Sequence, residues 1–176
     1  MNVAYRVERP ARAPHVDGTL FRQALAAVAS PVTVVTTMTE GGTPAGTTVS
    51  AFMSLSLEPP MVVISLDRAS TLLGHLSPGT HVGINVLAAH QDGAALCFAR
   101  KVEDKFDGVA WHLDAGLPRL DGSAAWLACE IDSLIDGGDH IIATAFVAHA
   151  DVADAAPPLV YYRRTFGTHH PSPTPA

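Results

Sequence analysis

The chain has few of the features that mark several large protein classes. Charged residues make up only 16% of the sequence, and the eleven Lys and Arg form no run. With a formal net charge of −6, nothing invites nucleic acid or an anionic membrane surface. An anionic ligand would have to be held by local dipoles and a few cations. Cysteine is scarce too. Cys97 and Cys129 have neither metal nor redox spacing and sit in apolar surroundings, as expected of reduced core thiols in a cytosolic protein. The N-terminal MNVAYRVERPARAPHVDG holds no signal-peptide apolar region, and no apolar run approaches membrane-spanning length, so a soluble cytoplasmic protein is expected. GxGxxG after a strand, GxxxxGK[ST], GxSxG and HExxH are all missing, which excludes a Rossmann or P-loop nucleotide site and a marked esterase or zinc-protease site. Ser, His and Asp are present, yet no spacing singles out a nucleophile. The His169-His170 pair has no partner at ligand spacing, so no metal site is read.

What the chain does have is apolar residues, 48% of the total, enough for one domain with a sizeable core. Residues 1–16 are Pro/Arg-rich and aperiodic and read as a flexible arm, residues 17–167 as the domain, and residues 168–176 as a disordered tail. Asp17 or Thr19 caps a helix running to about Ala29, with Leu20, Phe21, Ala24, Leu25 and Val28 on its buried side. A hairpin over residues 31–57 comes next, turning at Glu40-Gly41-Gly42-Thr43. Met61–Leu66 is continuously apolar, as in a strand buried on both faces, and His81–Leu87 is a strand with Asn85 at its centre. A short helix over 90–99 runs into the charge cluster Arg100-Lys101-Val102-Glu103-Asp104-Lys105-Phe106, and residues 109–122 read as loop. Strands at 124–134 and 141–152 flank the turn signal Asp136-Gly137-Gly138-Asp139, which ends at His140. Leu159–Tyr162 is the last strand. Short strands joined by hairpins, with few helices, predict a mainly β chain closed as an antiparallel Greek-key barrel.

The most informative stretch is Gly46–Thr71. From Thr48 to Leu57 it alternates strictly: Thr48, Ser50, Phe52, Ser54 and Ser56 on one face, Val49, Ala51, Met53, Leu55 and Leu57 on the other. The first face carries small hydroxyls where Lys, Glu or Arg are usual. Such a surface lets a planar polar ligand approach the backbone. Asp67-Arg68-Ala69-Ser70-Thr71 then leads into an apolar run, with Ser70 or Thr71 as a helix cap and Arg68 nearby, a local anion site.

Four pieces in order, Gly46–Phe52, Ser54–Pro60, Phe98–Lys101 with Asp104–Phe106, and Gly138-Asp139-His140, resemble the short-chain flavin reductases, the small components of two-component flavin-dependent monooxygenases. The resemblance covers about residues 19–166. It implies an FMN-binding split β-barrel acting as a homodimer, in which NADH or NADPH reduces FMN or FAD and the reduced flavin passes to a partner monooxygenase. By that resemblance Thr47, Thr48, Val49 and Ser50 hold the isoalloxazine and ribityl chain, largely through backbone groups. Ser65, Asp67, Ser70 and Thr71 lie along the ribityl-phosphate side. Ala99, Arg100, Lys105 and Phe106 close over the phosphate and flavin edge, His140 helps hold the nicotinamide, and Tyr162, Arg163 and Arg164 stand beside the site. Thr48-Val49 departs from the Ala-Asn or Ala-Ser of many relatives. Two other readings stay open at this point: a pyridoxamine-phosphate-oxidase-like split-barrel flavoenzyme, against which the Gly-Asp-His hairpin argues, and a non-enzymatic flavin-binding module, which would bind flavin without turning over NADH.

Overall fold

The computed structural model describes residues 15–171 apart from 103 and 155. Most of the expected arm and tail therefore lies outside the described residues. The element order is α1 (Gly18–Ala26), β1 (Ser30–Pro31), β2 (Thr33–Met38), β3 (Pro44–Val49), β4 (Phe52–Leu57), β5 (Pro60–Asp67), a 3-10 turn (Leu72–His75), β6 (His81–Val86), α2 (Asp92–Ala99), β7 (Trp111–Asp114), β8 (Leu117–Leu120), β9 (Ala125–Gly137), β10 (His140–Val152), β11 (Leu159–Tyr162) and β12 (Thr165–Thr168).

Seven strands form one antiparallel sheet in the order β3-β2-β6-β9-β10-β5-β4. Its two edge strands, β3 and β4, are consecutive in sequence, separated only by Ser50 and Ala51. The sheet therefore curls until its edges lie next to each other, and the chain itself carries one edge over to the other. At the crossing, the Ser65 N–H donates to the Ala51 carbonyl at 3.0 Å. The enclosed core draws Val35, Val49, Ile64, Ile84, Ile131 and Ala143 from six strands. This is a split barrel: its closure runs through the backbone at Ser50–Ala51 and not through a ladder.

A second core lies outside the barrel. Val32, Val34, Leu87, Phe98, Leu120 and Leu159 pack there between β2 and the layer formed by α2, the β7–β8 hairpin and β11. β2 feeds both cores, with Val34 and Val35 on opposite faces, so it is buried on both sides. β5, which the continuous apolar run predicts in that role, buries Val62, Ile64 and Leu66 on one face only. Asn85 serves the backbone: its amide nitrogen donates to the Val34 carbonyl at 3.2 Å and its oxygen accepts from Leu120 N–H at 2.8 Å.

Several sequence expectations change. The alternating run Thr48–Leu57 is not one strand. At Ser50–Ala51 it leaves one edge and joins the other, and a bulge between Ser54 and Ser56 shifts its register. Val49 points into the core, but Met53, Leu55 and Leu57 are exposed while Phe52 packs inward, so the apolar residues beyond the bend are not the core face. The loop expected at 109–122 contains the β7–β8 hairpin, turning at Ala115-Gly116 with φ of 49° and 76°. Helix α1 is capped as predicted, the Asp17 carboxylate accepting from Thr19 and Leu20 N–H at 2.8 and 3.1 Å. Its apolar side is not covered, however: Leu20, Phe21 and Leu25 are exposed in the single chain.

The expected turn after β9 is sharpened to Gly138-Asp139, because β9 and β10 each run for 13 residues. β11 is not the last strand. It turns back through Arg163-Arg164 into β12, and both arginines adopt the left-handed region, φ 48° and 65°.

Candidate functional site

Against the β3 edge lies a cavity of about 1090 Å³, at the upper end of the range for small-molecule sites. Three of the segments that wall it are Ala45–Thr47 of β3, the turn from Asp67 to the 3-10 helix, and residues 99–102 with Lys105 and Phe106 beyond the end of α2. Of the residues singled out in the sequence, Thr47, Asp67, Ser70, Thr71, Ala99, Arg100, Lys105 and Phe106 meet here. Stretches far apart in sequence are thus brought together, because β3 is an edge strand and α2 packs across it.

Helix α2 is fastened to β3 at two points. The Thr48 hydroxyl donates to the Ala95 carbonyl at 2.7 Å, and the Lys105 ammonium donates to the carbonyls of Gly46 and Phe98 at 3.2 and 3.0 Å. Phe98 comes so close that a Cβ on Gly46 would lie 2.8 Å from its ring. Glycine is required there by space, not by dihedral. Phe98 in turn meets Phe106 edge-to-face, centroids 4.9 Å apart, and Phe106 meets Trp111 at 5.2 Å. Phe106 is therefore a core residue whose neighbour, Lys105, is carried inward with it. Lys105 is only 9% exposed, and burial pushes its pKa below the usual lysine value, against a smaller opposing influence from Cys97.

The Asp67 turn is shaped by its own side chain. Asp67 Oδ1 accepts from Ala69 N–H at 2.7 Å, and the Asp67 carbonyl accepts from Ser70 N–H at 2.9 Å. The carboxylate is spent on the turn that presents Ser70 and Thr71. The helix cap expected there is absent. Thr71 makes no side-chain capping bond, and the chain continues into a four-residue 3-10 turn. Arg68 does not join the cavity either. Its Nε donates to the Gly138 carbonyl at 2.9 Å and its guanidinium pairs with Asp136 at 2.5 Å, so it clamps the β9–β10 turn. That clamp places His140, which opens β10, opposite Asp67 in the ladder. His140 Nδ1 lies 2.8 Å from Asp139 Oδ1, and this contact holds the Asp139 carboxyl below its usual pKa.

The remaining predicted residues lie elsewhere. Val49 is buried in the barrel core, and its carbonyl accepts from the Thr33 hydroxyl at 2.7 Å. Ser50 is at the edge-crossing bend, and Ser65 lies on β5 paired with Ile142. Tyr162, Arg163 and Arg164 form the β11–β12 turn beside α1, where the Arg163 N–H donates to the Ala26 carbonyl at 2.9 Å; the two arginines line a separate recess with Gln23, Ala26 and Ala27. Sequence reasoning missed the far wall of the main cavity, the β2–β3 turn at Thr39–Thr43 and residues His75–Ser77. The glycine pair marked a turn, but no local signal showed that it leans over a cavity.

The Ser70 hydroxyl is a test of fit for a flavin. Ser70 lines the cavity, and its hydroxyl is buried and has no hydrogen-bond partner among the described residues. A hydroxyl kept dry without a partner is costly unless a ligand supplies one. Arg100 and Lys101, at the same wall, form no ion pair with any described carboxylate, so cations are available for an anionic group. The residues present fit a ligand with a polar, anionic end.

The chain is thus a split barrel with a cavity, walled by polar and cationic residues, against its edge strand β3. The Flavin reductase like domain model matches residues 25–170, and the chain belongs to that family. It is 35% identical over 153 residues to a flavin reductase of Pseudomonas putida, covering 86% of this chain and 90% of that protein. It is 34% identical over 155 residues to the reductase component of the flavin-dependent trigonelline monooxygenase of Acinetobacter baylyi, covering 88% of this chain but only 50% of that longer protein. Among solved structures, the NADH:FAD oxidoreductase SgcE6 of Streptomyces globisporus C-1027, in complex with NAD and FAD fragments, superposes with a TM-score of 0.83 at 32% identity, covering 90% of this chain and 98% of that one.

Proposed function

We propose that this chain is an NAD(P)H-dependent flavin reductase that supplies reduced flavin to a partner monooxygenase. The observation that carries the reading is Ser70, whose buried hydroxyl has no partner among the described residues, in the wall of a cavity at the edge of a flavin-reductase-family barrel. Bound flavin supplies the redox chemistry, so the protein needs no nucleophile. Its own residues bind, orient and shield. The backbone of Thr47, on the β3 wall of the cavity, faces the ring system and ribityl chain. Ser70 and Thr71 serve the ribityl-phosphate side, with Asp67 holding the turn that presents them. Arg100 meets the phosphate. His140, fixed beside Asp67 by the Arg68 clamp, positions the nicotinamide.

The exposed apolar residues of α1 and β4 support a homodimer. Leu57 is 86% and Met53 63% exposed on an edge strand, a surface that would be covered by a second copy. Among the described residues no helix is long and apolar enough to cross a membrane.

The deciding assay tracks NADH and NADPH absorbance with FMN, FAD and riboflavin in turn. Oxidation that depends on added flavin is expected. Tight flavin binding with no loss of either nicotinamide would leave a binding module instead.

A further inference from the structure

Among the described residues Lys105 is the buried cation at the cavity, and its hydrogen bonds are unusual for a ligand-binding lysine. Both go to backbone carbonyls, Gly46 on β3 and Phe98 in the last turn of α2, and no described carboxylate lies within ion-pair distance of it. The Phe98 carbonyl is one of those a helix C-terminus leaves without an intrahelical partner, so a cation there is favourable. The Gly46 carbonyl matters more. β3 is an edge strand, and its outer side offers a mixture of N–H donors and C=O acceptors. A ring that gains electrons attracts the donors and repels any free acceptor. Gly46 lines the cavity, and Lys105 occupies its oxygen while keeping beside the site a positive charge that no described carboxylate pairs with.

Resting on the flavin-reductase reading, we propose that Lys105 is a positioning residue that masks the Gly46 carbonyl and makes the β3 edge a donor-only surface, so that the site holds reduced flavin more tightly relative to oxidised flavin than its other residues would. Lys105 thus acts on the flavin through strand β3, not as a phosphate ligand. A mere staple between β3 and α2 would weaken both flavin states alike.

The test is anaerobic titration of wild-type protein and of Lys105→Met, Lys105→Gln and Lys105→Arg with oxidised FMN and with dithionite-reduced FMN, reading the ratio of the two dissociation constants. Loss of one charge-assisted contact predicts that the ratio moves about tenfold against reduced flavin in Lys105→Met. Lys105→Gln, which keeps donors but not charge, should move it part of the way, and Lys105→Arg should restore it. If Lys105→Met loses its native circular dichroism, Lys105→Gln and Lys105→Arg carry the comparison. An unchanged ratio in folded, uncharged variants overturns the inference alone. Wild-type protein that binds neither flavin state overturns the flavin reading, and the inference with it.

Discussion

Gly46 shows how a single position can decide whether the cavity forms. Its missing side chain is what lets the Phe98 ring close on β3, and a methyl there would also sit 3.2 Å from the Val35 carbonyl. The ring can yield only by moving α2, because Phe98 is fully buried against Phe106. Gly46→Ala should therefore lower stability by about 1–3 kcal/mol, the usual cost of overpacking, and weaken flavin binding along with it, as checked by urea melts and flavin titration. Lys105 has a pH signature of its own. A lysine whose folded pKa is depressed binds fewer protons in the native than in the unfolded chain between that value and the ordinary 10.5. Its contribution to stability must then rise with pH across that alkaline window. Denaturant melts near neutrality and near pH 10 should show this rise in wild type, relative to Lys105→Met. The Cys129 thiol, pushed up to about 12 by burial, is ionised near pH 10 only in the unfolded chain and lowers stability there; Lys105→Met keeps Cys129, so the difference between the two proteins removes that contribution.

The unit that positions His140 is the β9–β10 hairpin together with the Arg68 clamp. His140→Ala is expected to raise the NADH KM far more than it weakens flavin binding; equal losses would remove its positioning role. Arg68→Ala, which frees the Gly138 carbonyl and Asp136 without touching His140, should raise the same KM more mildly, and the two effects should not add fully. This is also the level at which the sequence speaks unevenly. The Asp17 cap and the Leu159–Tyr162 strand are local facts, and both are legible in the residues. The β7–β8 hairpin is hidden because Gly116 and Pro118 punctuate it like a loop. The division of Thr48–Leu57 is hidden for another reason. Alternation persists through the bend, and period two records which side a residue faces but not which neighbour its strand pairs with. In the candidate site, residue types at the walls are readable through the family resemblance. The contacts that turn Arg68 away and Lys105 inward depend on segments dozens of positions apart and leave no local mark.

At the scale of the whole molecule, the uncovered apolar faces of α1 and β4 dominate. An amphipathic stripe shows that a face needs cover, not what supplies it. If a second copy supplies it, Leu57→Glu should shift sedimentation from dimer to monomer at micromolar concentration while the monomer keeps its circular dichroism. A wild-type protein that sediments as a monomer would refute the dimer. The barrel core does not depend on that surface, since Val35, Ile64 and Ile84 are enclosed within one chain.

The turn between β11 and β12 bears on how far this protein sits from its own stability optimum. Two consecutive arginines hold left-handed backbone where Asn-Gly would rest without strain. Replacing Arg163-Arg164 by Asn-Gly should raise the melting temperature by several degrees, corresponding to roughly 1–2 kcal/mol. Any activity lost in that stabilised variant would then gauge what selection gained by keeping the two cations in an uncomfortable place.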